Sequence, residues 1–264
     1  MGNKKITFKK KGPVGWIVLS YPATGEFVDI VLADTLREIC SIMSYDDSIR
    51  VILITCEKDL LSLSPCPSPI PAHQFDSKKS SRSHDAILPH FQLANSIASL
   101  EKPTIIAING DAKGQGLELA LASDIRIGTT LSRFSMPHIQ YGQIPWDGGT
   151  QRLPRIIGFS RALELLMTGR EVDAQEAKQT GLVHQLVEED FLLQQASGLA
   201  LTITSQAPVA VRYTKELLLK GMDLNLDSGL RLEADLNIIL QSTTDRSEGI
   251  TSFLERRDPN FQGQ

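Results

Sequence analysis

The sequence lacks the features that mark several common classes of protein. It has three cysteines in 264 residues, and Cys40, Cys56 and Cys66 have no metal-like spacing, so we expect neither a disulfide framework nor a zinc site. No apolar run approaches the length of a membrane span, and no signal-peptide core follows the first residues. These absences predict a protein of a reducing, cytoplasmic compartment that has no membrane partner.

An excess of positive charge is missing as well. The chain has 27 Lys and Arg residues and 31 Asp and Glu residues, which gives a net charge of −4. A surface that binds nucleic acid would need clustered basic residues. Walker and dinucleotide fingerprints and the Gly-x-Ser-x-Gly nucleophile elbow are also absent. We therefore expect no nucleic-acid partner, no dinucleotide cofactor and no metal.

What the sequence contains is an alternation of apolar strands and helices, followed by a helical final third. Strands are predicted at 6–8, 14–20, 50–55, 104–108, 125–128, 133–135 and 182–187. Helices are predicted from residue 29, at 91–100, 117–123, 151–157 and 161–167, and from residue 173 to Gly181. We predict a core over 1–190 and a helical part over 191–264, with breaks at Pro208, Gly221 and Gly249.

A proline-rich stretch interrupts this alternation. Four prolines stand in the seven positions 65–71, and proline removes a backbone donor and fixes φ. We expect residues 56–71 to form a loop that is neither helix nor inner strand.

The stretch Lys102–Asp124 is the most informative. An apolar strand ends at the turn Asn109-Gly110, and Gly114-Gln115-Gly116 then leads into an apolar helix that carries Glu118. Backbone N–H groups at the start of a helix can stabilise an oxyanion, and a buried carboxyl with a raised pKa suits proton transfer. The alternative is a packing turn in which Glu118 only accepts hydrogen bonds from nearby N–H groups.

Four blocks of the sequence together resemble one family. They are 102–124, with Gly-Gln-Gly-Leu-Glu-Leu-Ala-Leu-Ala-Ser-Asp; 148–155, Gly-Gly-Thr-Gln-Arg-Leu-Pro-Arg; 168–183, with Thr-Gly-Arg-Glu-Val-Asp-Ala and Gly-Leu-Val; and 248–261. With these blocks the chain resembles the crotonase (enoyl-CoA hydratase/isomerase) superfamily over nearly its whole length. The resemblance implies an α/β fold, a crotonase-like spiral of ββα repeats with a C-terminal helical oligomerisation module. It also implies acyl-CoA thioesters as substrates, no cofactor besides the coenzyme A of the substrate, and a homotrimer or a dimer of trimers.

Some site residues follow from the resemblance position by position. Glu118 matches the family's first catalytic glutamate, and Gln115, between the substrate-contacting glycines Gly114 and Gly116, matches one of two backbone N–H donors to the thioester oxygen. Leu63 supplies the other donor by register, although no glycine stands there and Ser64-Pro65 follow.

Other positions depart from the family pattern. His138 stands where hydratases have a second glutamate, and as a general acid or base it can take over that role or merely fill the space. Asp147 is a further catalytic candidate that could instead cap the helix after it, and Trp146 would narrow the acyl pocket. Glu26-Phe27 occupies the place of an early pair that contacts coenzyme A.

Two classes of function remain open from the sequence. The preferred one is an acyl-CoA enzyme that stabilises a thioester enolate with Glu118 as general acid/base, with hydration of an enoyl- or dienoyl-CoA as the default reaction. Double-bond isomerisation or hydrolysis of a specialised acyl-CoA also fits one retained glutamate. The second class is a catalytically weak paralogue that binds acyl-CoA.

Overall fold

The computed structural model describes residues 6–20, 30–56, 60–63 and 92–264, and the strands among them form two sheets. The strands are β1 (Ile6–Lys11), β2 (Val14–Leu19), β3 (Val51–Cys56), β4 (Leu60–Leu63), β5 (Thr104–Ile108), β6 (Asp111–Gly114), β7 (Ile125–Thr129), β8 (Phe134–Ser135), β9 (Glu171–Val172) and β10 (Gln185–Val187). The first sheet has the order β1-β2-β3-β5-β7-β10, and the second has the order β4-β6-β8-β9.

The helices follow the strands in chain order. They are α1 (Ile30–Tyr45), α2 (Ala94–Ala98), α3 (Gln115–Leu121), α4 (Gly149–Ile157), α5 (Phe159–Thr168), α6 (Ala174–Thr180), α7 (Leu192–Thr204), α8 (Pro208–Gly221), α9 (Leu226–Gln241) and α10 (Thr244–Glu255). Short 3-10 helices span Pro137–Tyr141 and Glu189–Phe191.

The central strands of the first sheet are buried on both faces. From β2 to β10 the strands of this sheet pair in parallel, and every residue of β3 and β5 is buried, as expected for unbroken apolar runs. Because side chains alternate across a strand, Ile52 and Ile106 face the core shared with α1, α2 and α3, whereas Leu53 and Ile105 face α7. The sheet is therefore a middle layer with helices on both sides.

A repeating unit positions the site. Three times in succession, one strand enters the first sheet, the next enters the second sheet, and a helix follows: β3-β4-α2, β5-β6-α3 and β7-β8 with the 3-10 helix. This repeat is the predicted spiral of ββα units. It brings the ends of β4, β6 and β8 to one edge of the second sheet, and with them the start of α3 and the 3-10 helix Pro137–Tyr141.

Several sequence predictions need correction. Leu60–Leu63 is an edge strand of the second sheet, inside the predicted loop 56–71, and the four prolines of 65–71 lie outside the described residues. The short strand β6 was not predicted, because Asp-Ala-Lys-Gly has no apolar alternation. Gly249 does not break a helix, since it lies inside α10.

Other predictions are confirmed. Asp173 caps α6 by accepting a hydrogen bond from the Glu176 N–H at 2.8 Å, and the helix ends at Gly181, which has a positive φ of 80°. The domain boundary at 190/191 stays a prediction, although α7 packs its Leu192, Ala196 and Ala200 against the first sheet. Across the described ranges, no helix has the length and apolar character that crossing a membrane requires.

Candidate active site

The ends of β4 and β6 bring the two predicted oxyanion donors together. The strands run parallel, with the Cα of Leu63 paired to that of Gly114, so Leu63 and Gln115 lie side by side at the edge of the second sheet. Gly114 has a φ of 56°, a conformation that favours glycine, and Gln115 is the first residue of α3. That both backbone N–H groups face one ligand atom stays a prediction; the register only places the two residues next to each other.

Gly116 fixes how closely these two segments approach. A Cβ at this position would lie 1.8 Å from the carbonyl oxygen of Leu61, so only glycine allows α3 to sit against β4. That Gly114 and Gly116 contact substrate stays a prediction. The structure explains why each position needs glycine: Gly114 has a positive φ, and Gly116 packs against the backbone of Leu61.

Glu118 lies at the centre of the site and is fully buried. Its Oε1 accepts hydrogen bonds from the backbone N–H of Asp147 at 2.9 Å and of Gly149 at 2.8 Å. Burial raises the pKa of Glu118 from its usual value of 4.5 to about 7, although the two N–H groups oppose the shift. A carboxyl with this pKa can both release and accept a proton at neutral pH.

His138 faces the other oxygen of that carboxyl. Its Nε2 lies 3.6 Å from Glu118 Oε2, and its side chain is fully buried on the 3-10 helix Pro137–Tyr141. Burial lowers the pKa of His138 from 6.5 to about 4, so the imidazole is neutral at pH 7. Within the described part of the chain, Glu118 Oε2 and both ring nitrogens make no hydrogen bond. The role of His138 as a general acid or base stays a prediction, and at neutral pH its imidazole would act in the uncharged form.

The Asp147 carboxylate accepts three hydrogen bonds through one of its oxygens. Its Oδ2 accepts hydrogen bonds from the backbone N–H groups of Leu93 and Ala94, at 2.7 and 2.9 Å, and from Gln115 Nε2 at 3.1 Å. It therefore stabilises the start of α2 and not the helix after it, which corrects the capping alternative. Burial raises the pKa of Asp147, and these hydrogen bonds oppose the shift.

Two predicted contacts with substrate are less defined. Trp146 is half-buried, and its carbonyl accepts a hydrogen bond from Gln92 Nε2 at 3.1 Å. Its predicted place in the acyl pocket stays a prediction. Glu26 and Phe27 lie outside the described residues.

Two further residues hold the site, and sequence reasoning did not give them these roles. A Cβ on Gly149 would lie 3.0 Å from Glu118 Oε1 and 2.8 Å from Met136 Sδ, so glycine lets its N–H approach the carboxylate. Arg152 donates to the carbonyl of Asp147 at 2.8 Å and to Asn95 Oδ1 at 2.9 Å. The block Gly148-Gly-Thr-Gln-Arg was the signal that could have found both.

The arrangement suits proton transfer next to a stabilised anion. One carboxyl with a pKa near 7 lies beside a neutral imidazole, one turn along the helix from backbone that can bind an oxyanion. No cluster of three or more metal-ligating side chains occurs in the described ranges.

Comparison with known proteins agrees with this geometry. Residues 72–264 match the enoyl-CoA hydratase/isomerase family. The chain is 34% identical to (E)-benzylidenesuccinyl-CoA hydratase of Thauera aromatica over 265 residues, which cover 98% of this chain and 99% of the relative. It is 30% identical to short-chain-enoyl-CoA hydratase of Clostridium acetobutylicum over 257 residues, 96% and 95% of the two chains. The crystal structure of enoyl-CoA hydratase from Bacillus anthracis superimposes with a TM-score of 0.87 at 31% identity, over 99% of this chain and all of that one.

Proposed function

Since the chain belongs to the enoyl-CoA hydratase/isomerase family, we propose that it adds water across the α,β double bond of an enoyl- or dienoyl-CoA thioester. Acyl-CoA hydratase/isomerase activity follows from membership of the family. We propose hydration, in preference to isomerisation, as the reaction of this chain. One observation carries it: a buried Glu118 carboxyl whose Oε1 is fixed by two N–H groups and whose Oε2 faces His138.

The proposed reaction assigns each group one step. The Glu118 carboxylate removes a proton from water while the water oxygen bonds to the β-carbon of the substrate. The π electrons move to the thioester oxygen, where the N–H groups of Leu63 and Gln115 stabilise the enolate by about 3–4 kcal/mol each. The enolate then collapses, and the α-carbon takes a proton from the protonated Glu118 carboxyl.

His138 has a narrower role in this scheme. Since its imidazole is neutral at pH 7, it holds the attacking water by a hydrogen bond and does not supply the proton as a cation. Coenzyme A enters only as part of the substrate, with no separate cofactor.

Isomerisation of a 3-enoyl-CoA is the second candidate. Moving a proton from the α-carbon to the γ-carbon needs one carboxyl and no second acid, and the neutral His138 beside a single glutamate favours this reaction. The acyl group stays open, because relatives of similar identity are named for a benzylidenesuccinyl and a short-chain enoyl thioester.

The test is turnover of crotonyl-CoA, a 3-enoyl-CoA and a cyclic dienoyl-CoA by the native protein and by Glu118→Gln. Glutamine keeps the size of the side chain and can still accept both N–H bonds, but it cannot transfer a proton, so we expect kcat to fall by about 10²-fold or more. Glu233→Gln, an exposed position on α9, is the matched control and should leave kcat unchanged. If no thioester turns over although all bind, the protein is a binding paralogue.

We also propose that the chain assembles as a homotrimer or a dimer of trimers in the cytoplasm. Large apolar side chains on α8, α9 and α10 are exposed in the single chain, which supports burial between subunits: Leu218, Leu219, Leu230, Ile238, Phe253 and Leu254. Cys40 is a buried free thiol, in keeping with a reducing compartment. A monomeric mass by light scattering would contradict the assembly.

A further inference from the structure

Both the backbone and the side chain of Gln115 take part in the candidate site: the backbone N–H is a predicted oxyanion donor, and the side chain hydrogen-bonds Asp147. The backbone follows Gly114, whose φ of 56° and ψ of −129° favour glycine, a residue that restricts the direction of the next N–H less than any other does. The side chain is 3% exposed, and its Nε2 donates to Asp147 Oδ2 at 3.1 Å. A glycine at this position could make no such bond.

Asp147 connects this side chain to the rest of the site. The same Oδ2 accepts the N–H groups of Leu93 and Ala94, which anchors the carboxylate to α2. The backbone N–H of Asp147 donates to Glu118 Oε1, and its carbonyl accepts from Arg152. One residue thus joins the predicted oxyanion donor, the acid/base group and α2.

We propose that Gln115 and Asp147 form a pair of positioning residues, in which the buried hydrogen bond between their side chains sets the direction of the Gln115 backbone N–H toward the thioester oxygen. The inference rests on the proposed function. It gives Asp147 a positioning role, through an Oδ2 that accepts three hydrogen bonds, besides the catalytic role predicted from the sequence.

The alternative is that the pair only stabilises the fold. A structural role predicts loss of stability with an unchanged environment of the bound thioester carbonyl. A positioning role predicts weaker polarisation of that carbonyl and a lower kcat at nearly constant KM, because the donor acts most strongly on the charge of the transition state.

The experiment uses the full-length protein and the variants Gln115→Ala, Asp147→Ala and the double variant. The probe is a para-dimethylaminocinnamoyl-CoA, whose absorbance maximum moves to longer wavelength when its carbonyl is polarised. We expect Gln115→Ala to lose most of this displacement and to lower kcat at least tenfold, with KM changed less than threefold. The double variant should lie within threefold of Asp147→Ala, because the two residues act through one bond.

Ser252→Ala is the matched control, since Ser252 is a buried side chain on α10 whose hydroxyl donates to the carbonyl of Gly249, within its own helix. It should change neither kcat nor the absorbance of the probe. The inference is overturned if Gln115→Ala keeps kcat within twofold and leaves the absorbance maximum in place, if the two substitutions lower kcat independently, or if the native protein does not displace the maximum. Gln115→Ala decides the matter even where Asp147→Ala fails to fold.

Glu118→Gln separates this inference from the proposed function. It should abolish turnover and keep the displaced absorbance of the bound probe, because the backbone donors are unchanged. A native protein that displaces the absorbance but turns over no thioester contradicts the proposed function and leaves the pairing to be judged by the Gln115→Ala spectrum.

Discussion

The two oxygens of the Glu118 carboxyl lie in contrasting surroundings. Oε1 receives two backbone N–H groups from the loop Asp147–Gly149, which Arg152 holds in turn. Oε2 and the imidazole of His138 face each other at 3.6 Å, and neither forms a hydrogen bond in the described part of the chain. We refer to these as the held side and the open side of Glu118.

The contrast between the two oxygens shows where the protein leaves buried polar atoms without hydrogen-bond partners. A buried polar atom without a partner costs about 1–3 kcal/mol, and folded proteins leave few such atoms. Here Glu118 Oε2, Asp147 Oδ1 and the ring nitrogens of His138 are buried in this way within one small volume. The held side fixes the carboxyl, so that the open side can present unused hydrogen-bonding capacity to water and substrate.

The strongest way to break the held side is to separate α3 from β4. We expect Gly116→Ala to lower the free energy of unfolding by about 3 kcal/mol or more, because the new Cβ would lie 1.8 Å from the backbone oxygen of Leu61. Denaturant unfolding measures the effect. Gly198→Ala is the control: nothing lies within 4 Å of its Cβ on α7, so it should raise stability by about 0.5–1 kcal/mol. Equal effects of the two substitutions would contradict the packing role of Gly116.

The pH dependence of stability should separate the two sides next. Glu118 keeps its proton in the folded chain up to pH about 7, whereas the unfolded chain loses it near 4.5, so this group lowers the free energy of unfolding as the pH rises through that window. His138 takes up a proton below 6.5 when unfolded but only below about 4 when folded, so it lowers the free energy of unfolding as the pH falls. Each contribution is about 3 kcal/mol, and between pH 4.5 and 6.5 the two nearly cancel.

Single substitutions should uncover the opposing slopes. Glu118→Gln leaves the histidine effect, so its stability relative to the native protein should rise with pH; His138→Gln leaves the glutamate effect, so its relative stability should fall with pH. Urea unfolding at pH 4.5, 5.5, 6.5 and 7.5 measures both. Slopes of the same sign in the two variants would mean that one of the pKa displacements has the wrong direction.

The sequence analysis named Glu118 and His138 as site residues, but it did not predict the backbone N–H groups of Asp147 and Gly149 that hold Oε1. The apolar helix after Gly114-Gln115-Gly116 indicated that Glu118 is buried and has a raised pKa. This could be predicted because hydrophobic periodicity and composition are read from neighbouring residues in the sequence. The strands β4 and β6 were missed, since segments of only four residues pair through the context of the whole sheet. The neutral state of His138 could not be predicted either, because its pKa depends on burial by residues distant in sequence.

The hydrogen-bond partners of Asp147 could not be predicted from the sequence either. Its position beside Trp146 and before two glycines indicated either catalysis or a cap for α4. Its actual partners, the N–H groups of Leu93 and Ala94 and the side chain of Gln115, are 32–54 residues away in sequence. Only the packing of α2 against α3 brings them together.

The smallest effect we predict concerns the open side alone. We expect His138→Gln to lower kcat by about 10–10²-fold, less than the roughly 10²–10⁴-fold that a general acid or base contributes. Glutamine can still hydrogen-bond the water, but its amide places the donor and the acceptor at other positions than the imidazole does. The inflection of kcat/KM near pH 7 should remain, since it belongs to Glu118. His138→Glu is the informative companion, because a second buried carboxyl beside Glu118 should raise the pKa of one of the pair further and displace that inflection upward. An inflection lost in His138→Gln would show that the imidazole, and not Glu118, controls proton transfer.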